Sequence, residues 1–178
     1  MCVLITGVAG LIGSHIAERA VAAGQIVRGV DVPGADTSFL RSLGIELVEG
    51  DLVDPQVARR AVQGCEVVYN AVRRTGDYGT FDLYHRPNVL TTESVLAAAI
   101  GAGVRRIVHA SSYMVSIGGS FHHWRGGIID DQTPEPSFMV GTFTADRRLR
   151  PSALCYSSSI SWRWSRSASV GCTDRATG

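Results

Sequence analysis

Three glycines spaced by three residues, Gly7, Gly10 and Gly13, limit what this chain can become more than anything else in it. They follow a short apolar run, Val3 to Ile5, that reads as a buried parallel strand, and they lead into an amphipathic stretch predicted as a helix over roughly Leu11 to Ala23. Each glycine has its own physical task. Gly7 permits the tight turn out of the strand, and Gly10 lets another molecule approach the backbone with no Cβ in the way. Gly13 lets the helix lie close to the sheet, whose first helix presents free N–H groups and a partial positive charge at its start. Three loop glycines with no ligand are the competing reading. Against it stands the context: a second apolar run, Ile26 to Val30, ends in Asp31 about 20 residues further on, where a dinucleotide-binding turn needs an acid for ribose hydroxyls.

The rest of the chain continues the alternation. Ile45 to Val48 reads as a third strand, after a turn-rich stretch with a short helical turn near Phe39 to Leu43. Asp54-Pro55 is a good helix start, an acid at the N-cap and proline at the first helical position, and Val57, Ala58, Ala61 and Val62 give that helix one apolar face up to Gly64. Glu66 to Val72 is the fourth strand, Arg73 to Thr80 a polar loop, Asn88 to Ala102 a long helix, and Val104 to Ala110 the fifth strand. Strand and helix in strict alternation specify an α/β fold, a doubly wound parallel sheet of Rossmann type with helices on both faces.

Composition removes several function classes. At 178 residues the chain is sized for one domain, and its net charge of +1 points neither to nucleic acid nor to an anionic membrane surface. No apolar run reaches the length of a membrane span, no basic segment precedes a signal-like run, and the expected compartment is the cytoplasm. Cys2, Cys65, Cys155 and Cys172 show no Cys-x-x-Cys spacing, so the spacing offers neither a zinc site nor a disulfide framework. His122 and His123 are adjacent, point opposite ways on an extended chain and make poor joint metal ligands; no metal is expected. The acidic, proline-punctuated stretch Asp130 to Pro136 reads as a solvated loop. All 17 basic residues are arginine, and a mechanism that needs a lysine ammonium is closed to this chain.

With five strands placed, the chain resembles the extended branch of the short-chain dehydrogenase/reductase superfamily, the NAD-dependent epimerase/dehydratase type, over roughly Met1 to Gly141. Thr6-Gly-Val-Ala-Gly-Leu-Ile-Gly13 is similar to that branch's glycine signature, Gly50-Asp51-Leu52 to its G-D-L element, Asn88-Val89 to the start of its N-V helix, and His109 to Val115 to the fifth strand with its catalytic serine. The resemblance implies NAD as cofactor, held by the glycine turn with Leu11 and Ile12, by Asp31 at the ribose, and by Asp51 and Leu52 at the adenine. It further implies cofactor contacts at Ala71 and Asn88, and Ser112 as the catalytic serine. The negative charge of Asp31 would repel a 2′-phosphate, which favours NAD over NADP. Arg28 lies inside a strand and is no obvious ligand for such a phosphate. The implied substrate is a small molecule, a nucleotide sugar or a secondary alcohol.

The family's chemistry also needs a tyrosine and a lysine spaced Tyr-x-x-x-Lys on the next helix, the ammonium favouring a phenolate that exchanges a proton near neutral pH. This chain has Phe143 and Arg147 at that spacing, and Tyr156 is followed four residues on by Ile160. Phenylalanine has no proton to give, and arginine does not replace lysine here. Residues 144–178 are crowded with Ser and Arg, without helical or strand periodicity, and are expected to form an irregular tail outside the NAD-binding domain of residues 1–143. A divergent or disordered tail would fit. A shift of reading frame near Phe143 fits better, since the shifted codons admit Tyr-Gly-Arg-Ser-Lys-Ala-x-x-Glu, similar to the family's active-site helix. The expected activity of the chain as written is therefore nil; a nucleotide-binding or interaction remnant is the alternative, and no oligomeric state follows from the sequence.

Overall fold

The computed structural model describes residues 1–75, 80–110 and 170–174, with Phe81 and the last segment described by their backbone alone. Chain order begins β1 (Cys2–Thr6), α1 (Leu11–Ala22), β2 (Ile26–Asp31), α2 (Ser38–Ser42), β3 (Glu46–Glu49), α3 (Pro55–Val62) and β4 (Val67–Asn70). It continues with α4 (Phe81–His85), a π-helical turn (Arg86–Leu90), α5 (Thr91–Gly101), β5 (Arg106–Ala110) and β6 (Val170–Asp174). The strands form one sheet in the order β3-β2-β1-β4-β5-β6. β1 to β5 are parallel neighbours, with Val3 opposite both Val27 and Val67. The order turns back between β1 and β4, and a crevice opens there at the carboxyl ends of the strands.

Alternation along each strand divides the core in two. Val3 and Ile5 of β1 face α1 and α2, packing on Ala17, Ala20 and Leu40. Leu4, between them, faces the other way and joins Val68, Ala58, Ala61, Val95 and Leu96 under α3 and α5. The fully buried Val3, Leu4 and Ile5 explain why β1 reads as an unbroken apolar run, since both sheet faces are covered. Helix α3 starts as its sequence predicts: the Asp54 carboxylate accepts from the Gln56 N–H at 2.8 Å, with Pro55 at the first helical position.

Two elements differ from the expectation. β4 ends at Asn70 rather than Val72, because the Ala71 and Val72 N–H groups turn aside to donate to the Thr6 hydroxyl at 3.2 and 3.3 Å. The helix expected from Asn88 begins at Phe81 and passes through the π-helical turn before α5. Pro87 supplies no N–H to the regular ladder, and the Thr91 N–H reaches back to the Arg86 carbonyl, five residues away.

The expectation of a tail without strand structure is corrected at Val170–Asp174, which adds β6 antiparallel to β5, His109 opposite Gly171. The backbone N–H and C=O groups along β5 pair with such a segment whatever its side chains, so no apolar periodicity is required of it. Ser112, the His122–His123 pair, the acidic stretch 130–136 and the Phe143–Arg147 spacing lie outside the described residues.

Candidate functional site

The glycine turn sits at the carboxyl end of β1, and its three glycines owe their identity to different causes. Gly7 has φ +63°, and a Cβ there would lie 2.8 Å from the Val72 Cα. At Gly13 a Cβ would meet the Gly7 carbonyl carbon and the Val8 Cα at 2.8 Å. Both are demanded by the fold. Gly10 is exposed, has φ −73°, and a Cβ on it would meet one protein atom, the Gly7 oxygen at 3.2 Å. The protein's own packing therefore leaves the space in front of Gly10 open. Gly10 caps α1, no side chain caps that helix, and its first turn holds no acid. The N-terminal donors and the positive end of the dipole remain available to an anion.

Asp31 is fixed from two sides. Its carboxylate accepts from the Ala9 N–H, within the glycine turn, at 2.8 Å and from the Val32 N–H at 2.9 Å. Each oxygen keeps a further lone pair for a hydroxyl donor. A cleft of about 130 Å³ at this end of the sheet is lined by Gly7, Asp31, Asp51, Leu52, Val72 and Arg86, among others. Four of these six are expected cofactor contacts, Gly7, Asp31, Asp51 and Leu52, while Val72 and Arg86 were not expected there. Leu52 forms part of the floor, 4% exposed and continuous with the core. Asp51 is held by the Val53 N–H at 2.9 Å and by Arg86 at 2.7 Å. Burial pushes the Asp51 carboxyl upward, but the Val53 bond and the Arg86 guanidinium outweigh it and hold the group below the usual carboxylate range.

The other expected side chains, Ala71, Asn88, Leu11 and Ile12, do not line this cleft. The cleft is lined by Val72 rather than by Ala71. Asn88 is buried, 3% exposed, and its amide is spent on one residue: it accepts from the Arg74 N–H at 2.8 Å and donates to the Arg74 carbonyl at 3.1 Å. It holds the loop after β4 in place. Leu11 and Ile12, at the start of α1, are 78% and 55% exposed. They line a separate groove of about 710 Å³ that runs between α1 and Tyr69. Arg28 is turned away from the cleft. It bonds to the Ala61 and Gln63 carbonyls at 2.9 and 2.6 Å, at the end of α3, and pairs with Glu46 at 2.8 Å.

Beneath the crevice lies a buried polar chain that sequence reasoning missed. The Thr6 hydroxyl donates to Asn70 Oδ1 at 2.6 Å, and Asn70 Nδ2 lies 3.3 Å from Thr92 Oγ1 and 3.0 Å from His109 Nδ1. With Asn70 Oδ1 accepting, its amide donates to His109, so Nδ1 is unprotonated. Burial first, and the Arg73 guanidinium second, push the imidazole down to about 4, consistent with that neutral form. Thr6 thereby ties the ends of β1, β4 and β5 to the Ala71–Val72 backbone. A polar residue directly before the glycine turn, opposite another at the end of β4, was the available signal. Among the described residues no group of three or more His, Cys, Asp or Glu is placed to hold a metal ion, and no helix is long and apolar enough to cross a membrane.

Strand order and glycine turn together define an open α/β domain of Rossmann topology. Residues 3–137 match the NAD dependent epimerase/dehydratase family, and the chain belongs to that family. It is similar to the 2-alkyl-3-oxoalkanoate reductase of Shewanella oneidensis, 35% identical over 145 residues, which cover 82% of this chain and 36% of that enzyme. Among solved structures it is similar to a UDP-galactose 4-epimerase, with a TM-score of 0.71 at 26% identity over 88% of this chain and 51% of the other. A short-chain dehydrogenase/reductase superfamily protein from Agrobacterium tumefaciens, solved with NAD bound, gives a TM-score of 0.70 at 26% identity, over 88% and 44% of the two chains. The chain thus spans about a third of that reductase (36%) and about half of those structures (51% and 44%).

Proposed function

We propose that this chain is the NAD-binding part of a family oxidoreductase or isomerase, that it prefers NAD to NADP, and that as written it carries out no turnover. The observation that carries the reading is the carboxylate of Asp31, fixed by the Ala9 N–H within the glycine turn and facing the same cleft as Asp51 and Val72. Ribose hydroxyls would donate to its remaining lone pairs, while a 2′-phosphate would meet its charge. The uncapped start of α1 behind Gly10 would receive the pyrophosphate. NAD, when bound, supplies a hydride acceptor or donor. This chain's residues contribute binding, and Ser112 would hydrogen-bond a reacting hydroxyl or carbonyl.

The substrate class is a small molecule with a secondary hydroxyl or a ketone, a nucleotide sugar among them, in the cytoplasm. A reductase of an oxoalkanoate and an epimerase of a nucleotide sugar stand among the similar proteins, and both names describe chemistry at such a carbon. The proton relay is what the chain lacks: it contains no lysine, and hence no Tyr-x-x-x-Lys pair. Losing a positioned general acid–base costs about 10² to 10⁴ in rate.

Titration of the purified chain with NAD and NADP by calorimetry tests the cofactor. NAD should bind more tightly, and Asp31→Ala should abolish the preference; tight NADP binding indifferent to Asp31 would sink the assignment. For catalysis, the chain should reduce no detectable NAD with nucleotide sugars or secondary alcohols. Shifting the frame at Phe143, so that the helix reads Tyr-x-x-x-Lys and continues into its downstream lobe, should restore a family-like activity, and Ser112→Ala in that repaired protein should depress it severely. Robust turnover by the unaltered chain would show the active site to be misassigned.

A further inference from the structure

At the end of the sheet opposite the cleft, the fold brings together two cysteines 63 positions apart. Cys2 opens β1, and Cys65 lies in the short connection between α3 and β4. Their Sγ atoms are 2.8 Å apart. The backbones are locked beside each other, since the Glu66 N–H donates to the Cys2 carbonyl at 2.9 Å. Both are free thiols; Cys2 is half-buried and Cys65 is buried. Arg28 completes the site, its guanidinium 3.7 Å from Cys65 Sγ and held there by the Ala61 and Gln63 carbonyls and by Glu46.

A buried cysteine is often no more than a small apolar side chain. That role explains neither a sulfur facing a sulfur at this distance nor a guanidinium beside the pair. Reaching a bond of about 2.05 Å requires the two sulfurs to close by less than about 1 Å, within side-chain adjustment. We propose that Cys2 and Cys65 form a dithiol site that closes to a disulfide on reaction with a small-molecule disulfide, stapling the start of β1 to the start of β4.

The half-buried Cys2 is the entry point. Its thiolate attacks one sulfur of the small-molecule disulfide, forming a mixed disulfide and expelling the first thiolate. Cys65 then loses its proton, and its sulfur attacks Cys2 Sγ, breaking the mixed bond and expelling the second thiolate. Two protein thiols are oxidised by two electrons, and the small-molecule disulfide is reduced to two thiols, which take up both protons. The Arg28 cation favours the thiolate of Cys65 during the second step. Burial, and then the neighbouring Cys2, push the Cys65 thiol up to about 12, which makes closure the slower step. The staple removes freedom from the unfolded chain between its ends and raises stability. The glycine turn, at the other end of β1, is untouched.

Glutathione disulfide is the probe. The full chain is incubated with it, quenched with acid, alkylated and mapped by peptide mass spectrometry. One linked pair of peptides containing Cys2 and Cys65, two hydrogens lighter than the free thiols, is expected. The melting temperature should rise by several degrees and fall back with dithiothreitol. Cys65→Ser should stop at a glutathione adduct on Cys2. Full alkylation of both Cys2 and Cys65 after treatment, or linkage of either one to Cys155 or Cys172 instead, would overturn the proposal.

Discussion

Gly10 and Gly13 look alike in the sequence and behave differently in the structure. A methyl group on Gly13 would run into the backbone of Gly7 and Val8. Gly13→Ala should therefore destabilise the chain by about 2–3 kcal/mol in urea unfolding. Gly10→Ala has no strained φ and one close neighbour. It should change stability by no more than about 1 kcal/mol while weakening NAD binding in the same preparation. Equal destabilisation by the two would mean that Gly10 serves packing.

His109 sets a second residue-level test. Its imidazole is pushed down to about 4 from an ordinary 6.5. Between those values the unfolded chain binds the proton and the folded one does not, so stability rises with pH across that window and is lost as pH falls through it. The loss is of order 3 kcal/mol at most. His109→Gln should flatten this part of the stability–pH curve, measured by denaturation from pH 4 to 7. Asp51 acts in a lower range. Its carboxyl sits below the usual value when folded, so its smaller contribution is present above the ordinary carboxylate pKa and lost as pH falls through the folded one.

Elements show where local pattern suffices. β1, α1 and β2 lie within a residue or two of their sequence-based bounds, because apolar periodicity and the spacing of the glycine turn act over a few neighbours. The helix before β5 was legible only in its second half. Its first half crosses Pro87, which interrupts the regular ladder, and the π-helical turn there depends on Thr91 bonding back to Arg86. Asn88 gains its role from that turn, which aims its amide at the backbone of Arg74. Asn88→Ala would leave that N–H and carbonyl without their partner, at a cost of about 1–3 kcal/mol. Hydrogen exchange should show faster exchange at Arg74 and its neighbours, with weaker NAD binding; unaltered exchange there would remove the positioning role.

For the molecule as a whole, the apolar surface is unevenly distributed. Leu11 and Ile12 stand exposed beside the groove of about 710 Å³ that Ile16, Ala20 and Tyr69 also line. Contiguous apolar surface of this kind favours association with apolar molecules. The chain should enhance the fluorescence of anilinonaphthalene sulfonate, and Leu11→Gln combined with Ile12→Gln should lower the signal at unchanged melting temperature. An unaltered signal would place the dye elsewhere.

The sequence by itself determined the fold class, the glycine turn with its acid, and the missing Tyr-x-x-x-Lys pair, because each is written in residue type and short spacing. Tertiary structure alone decided which residues meet. Thr6, Asn70 and His109 join only when β1, β4 and β5 lie side by side. Arg86 reaches Asp51 across 35 positions, and Cys2 reaches Cys65 across 63. The strand order that makes these neighbours arises from crossovers that bury both faces of the sheet, and no local pattern records it.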